Sequence, residues 1–266
     1  MDMLLLLLPA AALSVLMVLS HAWFGLHVLA RGIVFADLAL AQVAALGVSV
    51  AFLLGEDTHG EAARLYALGA TLLAALGFSG LRRLADKTTR EVAIGCVYVV
   101  ATALCILILS RSASGMDELR TLLTGNILWV RWSEVGEVAL AYTLLALPLV
   151  LFRRRFEQLS AADGGGAFLW EFAFFASFAV AITLAVHLAG VLLVFAFLII
   201  PAFSAALLAA RPLARLLLAW GLGLAGAGAG LALSLAADLP TGATMVAVLG
   251  VLPLAAGLLH FVRRAR

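Results

Sequence analysis

The chain has 266 residues, 65% of them hydrophobic and only 12% charged, with a mean hydropathy of +1.16 and a formal net charge of +2. A water-soluble domain is nearer half apolar and a quarter charged. The composition therefore excludes a soluble catalytic domain or a nucleic-acid-binding module and points to an all-α chain that crosses a membrane many times.

About 20 apolar residues carry a helix across a bilayer. Nine stretches qualify in chain order: 4–30, 35–54, 63–81, 91–110, 134–152, 168–187, 190–209, 213–236 and 242–262. They predict one transmembrane domain over 1–266 with eight to nine helices. The first stretch lacks a basic leader and a small-residue cleavage site, so it reads as a retained helix. Cys96 and Cys105 share the fourth stretch. Nine residues are about two and a half helical turns, so the two thiols point apart and read as small buried apolar residues. Thr88 and Glu91 have the spacing of a capping box at the start of that stretch.

Between 111 and 133 the chain is too polar to cross. Asp117–Leu123 reads as a short surface helix stopped at Gly125-Asn126, with Trp129 and Trp132 in the interfacial belt. Residues 157–166 (EQLSAADGGG) read as a flexible linker. Glu171 falls in the first turn of the sixth stretch, where the helix dipole favours an acid. Gly226 and Gly230 form a GxxxG that permits close helix packing.

Lys and Arg favour cytoplasmic loops. With the N-terminus outside and nine crossings, 13 of the 17 Lys and Arg residues fall inside: Arg31, Arg82, Arg83, Lys87, Arg90, Arg153–Arg155, Arg211, Arg215 and three after residue 262. The outer loops collect acids instead, among them Glu56, Asp57, Glu61, Asp117, Glu134, Glu137 and Asp238. The C-terminus is then cytoplasmic.

Val186–Arg215 organises the rest. It starts with a small-residue break at Ala189-Gly190, and its apolar run then reaches Ile200, where Pro201 interrupts the helix, because proline lacks an N–H and clashes with the preceding turn. Small residues follow (Ala202, Ser204, Ala205, Ala206), then a basic exit at Arg211 and Arg215. The segment is either a cytoplasmic docking element or a proline-kinked helix with an ordinary loop.

In the second stretch, Leu38, Gln42, Ala45 and Ser49 share one face at about 100° per residue. The face is small and polar, as a pathway lining should be. Gln42 serves either that lining or an interhelical hydrogen bond. Asp37 lies about 140° from Gln42 and reads as a first-turn acid or a pathway residue. His59 sits in an acidic loop and reads as solvated, and His187 sits at a helix end. The sequence contains no HExxH, GxSxG, CxxC or phosphate-binding loop. No metal-ligand set is predicted, and ATP, if used, binds on another chain.

Four stretches together resemble the integral-membrane permease subunit of bacterial ABC importers for zinc, manganese or iron: Arg31–Gly47, Met116–Leu128, Gly190–Ala206 and Asp238–Gly242. The resemblance implies a homodimer in the bacterial inner membrane, a separate ATPase that carries ATP and Mg²⁺, and an extracytoplasmic substrate-binding protein. It implies no cofactor in this chain and no catalysis. It assigns Pro201 to about Arg215 to ATPase coupling. Such permeases carry Gly-Asp-x-x-x-His at the start of the second helix. Aligned through Gly47, the acid position is Leu38 and the histidine position is Gln42, while Asp37 is offset by one. A neutral amide is a poor zinc ligand. A carrier driven by an ion gradient is the other reading, but it usually needs acids at mid-membrane.

Overall fold

The computed structural model describes residues 2–58, 60–84, 86–111, 115–161 and 168–264. His59 and residues 162–166 of the expected linker lie outside them. The described residues are all-α: α1 (Asp2–Arg31), α2 (Phe35–Leu53), α3 (Glu61–Leu84), α4 (Lys87–Leu109), α5 (Gly115–Thr124), α6 (Trp132–Leu151), α7 (Arg153–Ala161), α8 (Phe168–Leu208), α9 (Pro212–Ala236), α10 (Thr241–Leu249) and α11 (Val251–Arg264). Eight helical stretches are long and apolar enough to cross a membrane, with α10 and α11 together making the last.

The sixth of these, α8, has 41 residues. At 1.5 Å per residue it would be about 60 Å long if straight, twice the hydrocarbon thickness. It is not straight. Gly190 has φ 77° and ψ 159°, a conformation that breaks the helix and that only glycine adopts readily. Contacts on each side show that the chain reverses there. Glu171, near one end, pairs with Arg31 at the end of α1. The Leu207 carbonyl, near the other end, meets the Nδ1 of His260 in α11 at 2.8 Å. Neighbouring residues of α1 touch both arms: Phe24 stacks on Phe178 at 4.9 Å between ring centroids, and Gly25 lies against the Leu198 carbonyl. The described residues thus hold eight candidate spans, or nine if the two arms of α8 on either side of Gly190 are counted separately, in line with the eight to nine expected.

The break falls at Ala189-Gly190 as expected, but none follows at Pro201, which corrects that part of the sequence expectation. Helix α8 continues through Pro201 to Leu208. The proline ring is accommodated because it faces Gly223 of α9, where a Cβ would stand 3.2 Å from Pro201 Cγ. Two further expectations change. Helix α7 runs to Ala161, so residues 157–161 are helical and not linker. Its Phe156 is buried against Trp23 and Trp170, which gives the segment an apolar anchor. Cys96 is exposed on the apolar surface, while Cys105 is buried as expected.

The core lies along both arms of α8. Phe174, Phe178, Leu193, Phe197 and Leu198 are fully buried there, with Phe24 and Met17 from α1. Helices α4, α6 and α11 present exposed Val99, Leu107, Leu144, Leu147, Leu254 and Leu258, as lipid-facing surfaces do. In the GxxxG pair, Gly226 admits Leu249 and Gly230 admits the Met245 backbone, so α10 packs closely on α9.

One end of the bundle is basic and is held by a buried polar hub. Arg31 Nη1 donates to Glu171 Oε2 at 2.8 Å, and both side chains are nearly inaccessible. Arg31 Nε donates to Ser160 Oγ at 3.0 Å, and His27 Nδ1 meets the same hydroxyl at 2.8 Å. The guanidinium carbon sits 3.8 Å above the Phe174 ring. The hub ties α1, α7 and α8 together. Glu171 is therefore an ion-pair partner, not only a first-turn acid. Nearby, Asp86 caps α4 by accepting from Thr89 N at 3.1 Å. These hydrogen bonds from Thr89 hold its carboxyl below the usual range. Glu91 does not reach back to Thr88. Its Oε1 accepts from Phe35 N at 3.0 Å and so serves the start of α2.

Two predictions follow from this packing. Gly190→Ala should lower stability in detergent by at least the ~1–3 kcal/mol of a strained backbone, whereas Gly77→Ala, with open space around it, should not; thermal unfolding of the purified chain compares them. Glu171→Gln leaves the Arg31 charge buried and should cost about 3–5 kcal/mol. Glu137→Gln, in the exposed pair with Arg64, should cost at most about 1 kcal/mol.

Candidate transport and coupling sites

Three of the four stretches that carry the resemblance meet at one point. Thr124-Gly125 closes α5, Gly190 turns α8, and Gly242 opens α10. A Cβ on Gly125 would collide with the backbone of Ala189 and Gly190, and one on Gly190 with that of Thr124 and Gly125. A Cβ on Gly242 would lie 2.7 Å from the Thr124 carbonyl. Gly125 itself has φ 66°. Asn126 N donates to the Leu188 carbonyl at 3.3 Å, and so satisfies an acceptor that the break releases. Backbone meets backbone here with no side chain between. The stop at Gly125 was visible in the sequence, whereas its partner at Gly190 was visible only as a small-residue pair.

Helix α2 is the most enclosed crossing, packed by α3, α4 and α8. Of the expected pathway face, Leu38 is half-buried, while Gln42 (2% exposed), Ala45 (2%) and Ser49 (0%) are buried. Ser49 Oγ donates to the Ala45 carbonyl at 2.8 Å. Cys105 of α4 points its thiol at the Gln42 carbonyl, 3.9 Å away. The face is therefore shut against α4 in this conformation. Asp37 is fully buried, and neither carboxylate oxygen has a hydrogen-bond partner among the described residues. The helix begins instead with Val34, which makes no side-chain cap. An unpartnered carboxylate inside a bundle is costly, and its placement is unlike that of a solvated first-turn acid.

The coupling stretch divides by exposure. Pro201, Ala202, Ser204 and Ala205 are buried, the last in a small cluster with Ala22 and Ala219. Ala206 is half-buried, and Arg211 is exposed. Arg215 Nε donates to the Ala209 carbonyl at 2.8 Å, so the first turn of α9 caps the last of α8. The surface open to a partner is thus Ala206 to Leu213, with Phe203 beside it. Among the described residues, no group of three His, Cys, Asp or Glu side chains is placed to hold a metal ion.

Comparisons with known proteins agree with this geometry. The profile of the ABC 3 transport family matches residues 3–260. Two solved structures share the fold. PsaBC from Streptococcus pneumoniae, in complex with Fab, aligns with a TM-score of 0.73 at 21% identity, over 94% of this chain and 90% of that one. An inward-facing conformation of a metal-chelate type ABC transporter aligns with a TM-score of 0.69 at 19% identity, over 95% and 85%. No curated protein matches significantly. With nearly its whole length matched by the family profile, the chain belongs to the ABC 3 transport family, as a multi-pass permease subunit of an ABC transporter and not an enzyme.

Proposed function

We propose that this permease imports a divalent metal ion (zinc, manganese or iron) delivered by an extracytoplasmic binding protein. Two copies pair in the membrane, and each engages an ATPase subunit on the cytoplasmic side. The observation that carries the reading is the family match over 3–260. The likeness in fold to PsaBC and to a metal-chelate type transporter supports it. The N-terminus lies outside and the C-terminus inside, because the basic residues then face the cytoplasm.

The ATPase meets the exposed part of Pro201–Arg215, from Ala206 onward. Closure of the ATPase pair pushes this elbow. The Arg215–Ala209 bond passes the push to α8 and α9 together, and the Arg31–Glu171 hub passes it to α1 and α7. Metal moves along the Leu38, Gln42, Ala45 and Ser49 face of α2 as α4 draws away, with Asp37 nearby. Weak, transient contacts suit a path that must release its ion, and Gln42 supplies one neutral oxygen.

Cells carrying the chain with its ATPase, supplied with zinc, manganese or iron separately, test the reading. Uptake of one metal that stops when the ATPase is inactivated is expected. ATP hydrolysis by an assembled complex with no metal uptake would overturn the substrate while keeping the permease. Ala206→Glu should cut that uptake by about tenfold, equivalent to about 1.4 kcal/mol of coupling, with the amount of inserted protein unchanged. Undiminished uptake would remove the coupling assignment.

A further inference from the structure

We propose that the acidic end of the chain carries a binding site for a bilayer lipid with an ammonium headgroup, whose acyl chain enters a cavity between α3 and α6. The cavity encloses about 250 Å³. Its floor is apolar, formed by Ala44 and Val48 of α2, Leu68 of α3, and Val180 and Leu184 of α8. Its rim is charged, with Glu61 and Arg64 from α3 and Glu134 and Glu137 from α6. Val180 and His187 both line it. Seven helical residues separate them, so the cavity is about 10 Å deep along α8. Ala45, which belongs to the Gln42–Ser49 face of α2, also lines it, and the proposal does not rest on which ion the permease carries.

The form of the opening identifies the occupant. Helices α3 and α6 barely touch, and among the described residues the Arg64 Nη1–Glu137 Oε2 ion pair, at 3.1 Å, spans the gap between them. Leu65, beside the opening, is 63% exposed on the lipid-facing side of α3. Trp129 and Trp132, 70% and 58% exposed just before Glu134, mark the membrane interface at the level of the rim. The gap thus opens sideways into the bilayer, with its polar end at headgroup depth and its apolar end toward mid-membrane. Water fills an apolar cavity poorly, whereas an acyl chain matches it.

Charge selects the headgroup. The lining holds three carboxylates against one guanidinium. Arg131, outside the lining, pairs with Glu134 at 3.4 Å. With Arg64 paired to Glu137, one carboxylate remains in excess, which favours an ammonium group. Leu122 and Leu188 also line the cavity and flank the Gly125–Gly190 contact. A bound chain would hold α3 and α6 apart beneath it.

Native mass spectrometry of the full chain, released from micelles supplied with phosphatidylethanolamine or phosphatidylglycerol, tests the site. One retained phosphatidylethanolamine per chain is expected, preferred by about tenfold over phosphatidylglycerol. Val138 lines the cavity from α6 and Leu184 from α8, so Leu184→Trp and Val138→Phe fill it from different helices and should each abolish the adduct. Glu61→Gln should erase the headgroup preference while keeping a lipid bound. Adducts that survive both filling variants, or wild-type binding without headgroup preference, would overturn the proposal. So would a dimer lost in these variants with no lipid adduct in wild type, which would make a second copy the occupant. If one filling variant fails to insert, the other decides the outcome, and metal uptake measured in parallel reports separately on transport.

Discussion

The architecture hangs on a contact that no side chain makes. At Gly190 the chain leaves helical geometry, and the backbone of Gly125 fills the space a Cβ would need. Each glycine is required by the other. Hydrogen-bond accounting closes at the same place, since Asn126 N serves the Leu188 carbonyl. Lipid offers no substitute partner for a broken helix, so the break is tolerated only under this cover. From it follow the two arms of α8, the cleft that receives α1, and the seat for the start of α10. The motif stretches are far apart in sequence but adjacent in space because this junction needs all three.

The mechanical elements sit at the other end. Arg31, Glu171, Ser160 and His27 form a buried polar cluster that joins three helices. Burying an ion pair does not of itself add stability. What it offers is registry, because each partner is costly to leave alone. Such a hub moves as a unit. The elbow at Arg215 and Ala209 is built on the same principle, with a cationic side chain closing a helix end. Two polar joints thus link the four helices α1, α7, α8 and α9 at this end.

Much of the fold was legible in the sequence because bilayer thickness sets helix length. The crossings, the short helix before Gly125 and the tight Gly226–Gly230 face all follow from local composition. The chain reversal was legible in part, since a break was expected at Ala189-Gly190 but a further one at Pro201. Pro201 carries a strong local signal for a break, but the small Gly223 opposite it relieves the ring, and the helix continues. Ala189-Gly190 carries a weak signal, yet tertiary contact makes it the turn. Likewise Glu91 and Glu171 looked like local helix-end acids, and both serve distant partners, Phe35 N and Arg31. Helical period places Leu38, Gln42, Ala45 and Ser49 on one face of α2. Period alone does not say what covers a face, and α4 covers this one. Asp37, one position from where the resemblance would place an acid, is buried without a partner among the described residues, which spacing could not reveal.

The hairpin in α8 also bears on how the chain enters a membrane. Its 41 residues contain no polar loop to mark a crossing point, so an inserting machine would read a single stretch too long to span once. Arginines stand at both ends, Arg153 to Arg155 before it and Arg211 and Arg215 after it. Basic flanks resist translocation, so with both ends on one side the apolar middle would fold back on itself. Only the residues around Ala189 and Gly190 need to reach the far surface, and they are among the smallest available. Charge at the two flanks would then decide the side, and the bend is placed by the one residue that takes it readily, Gly190.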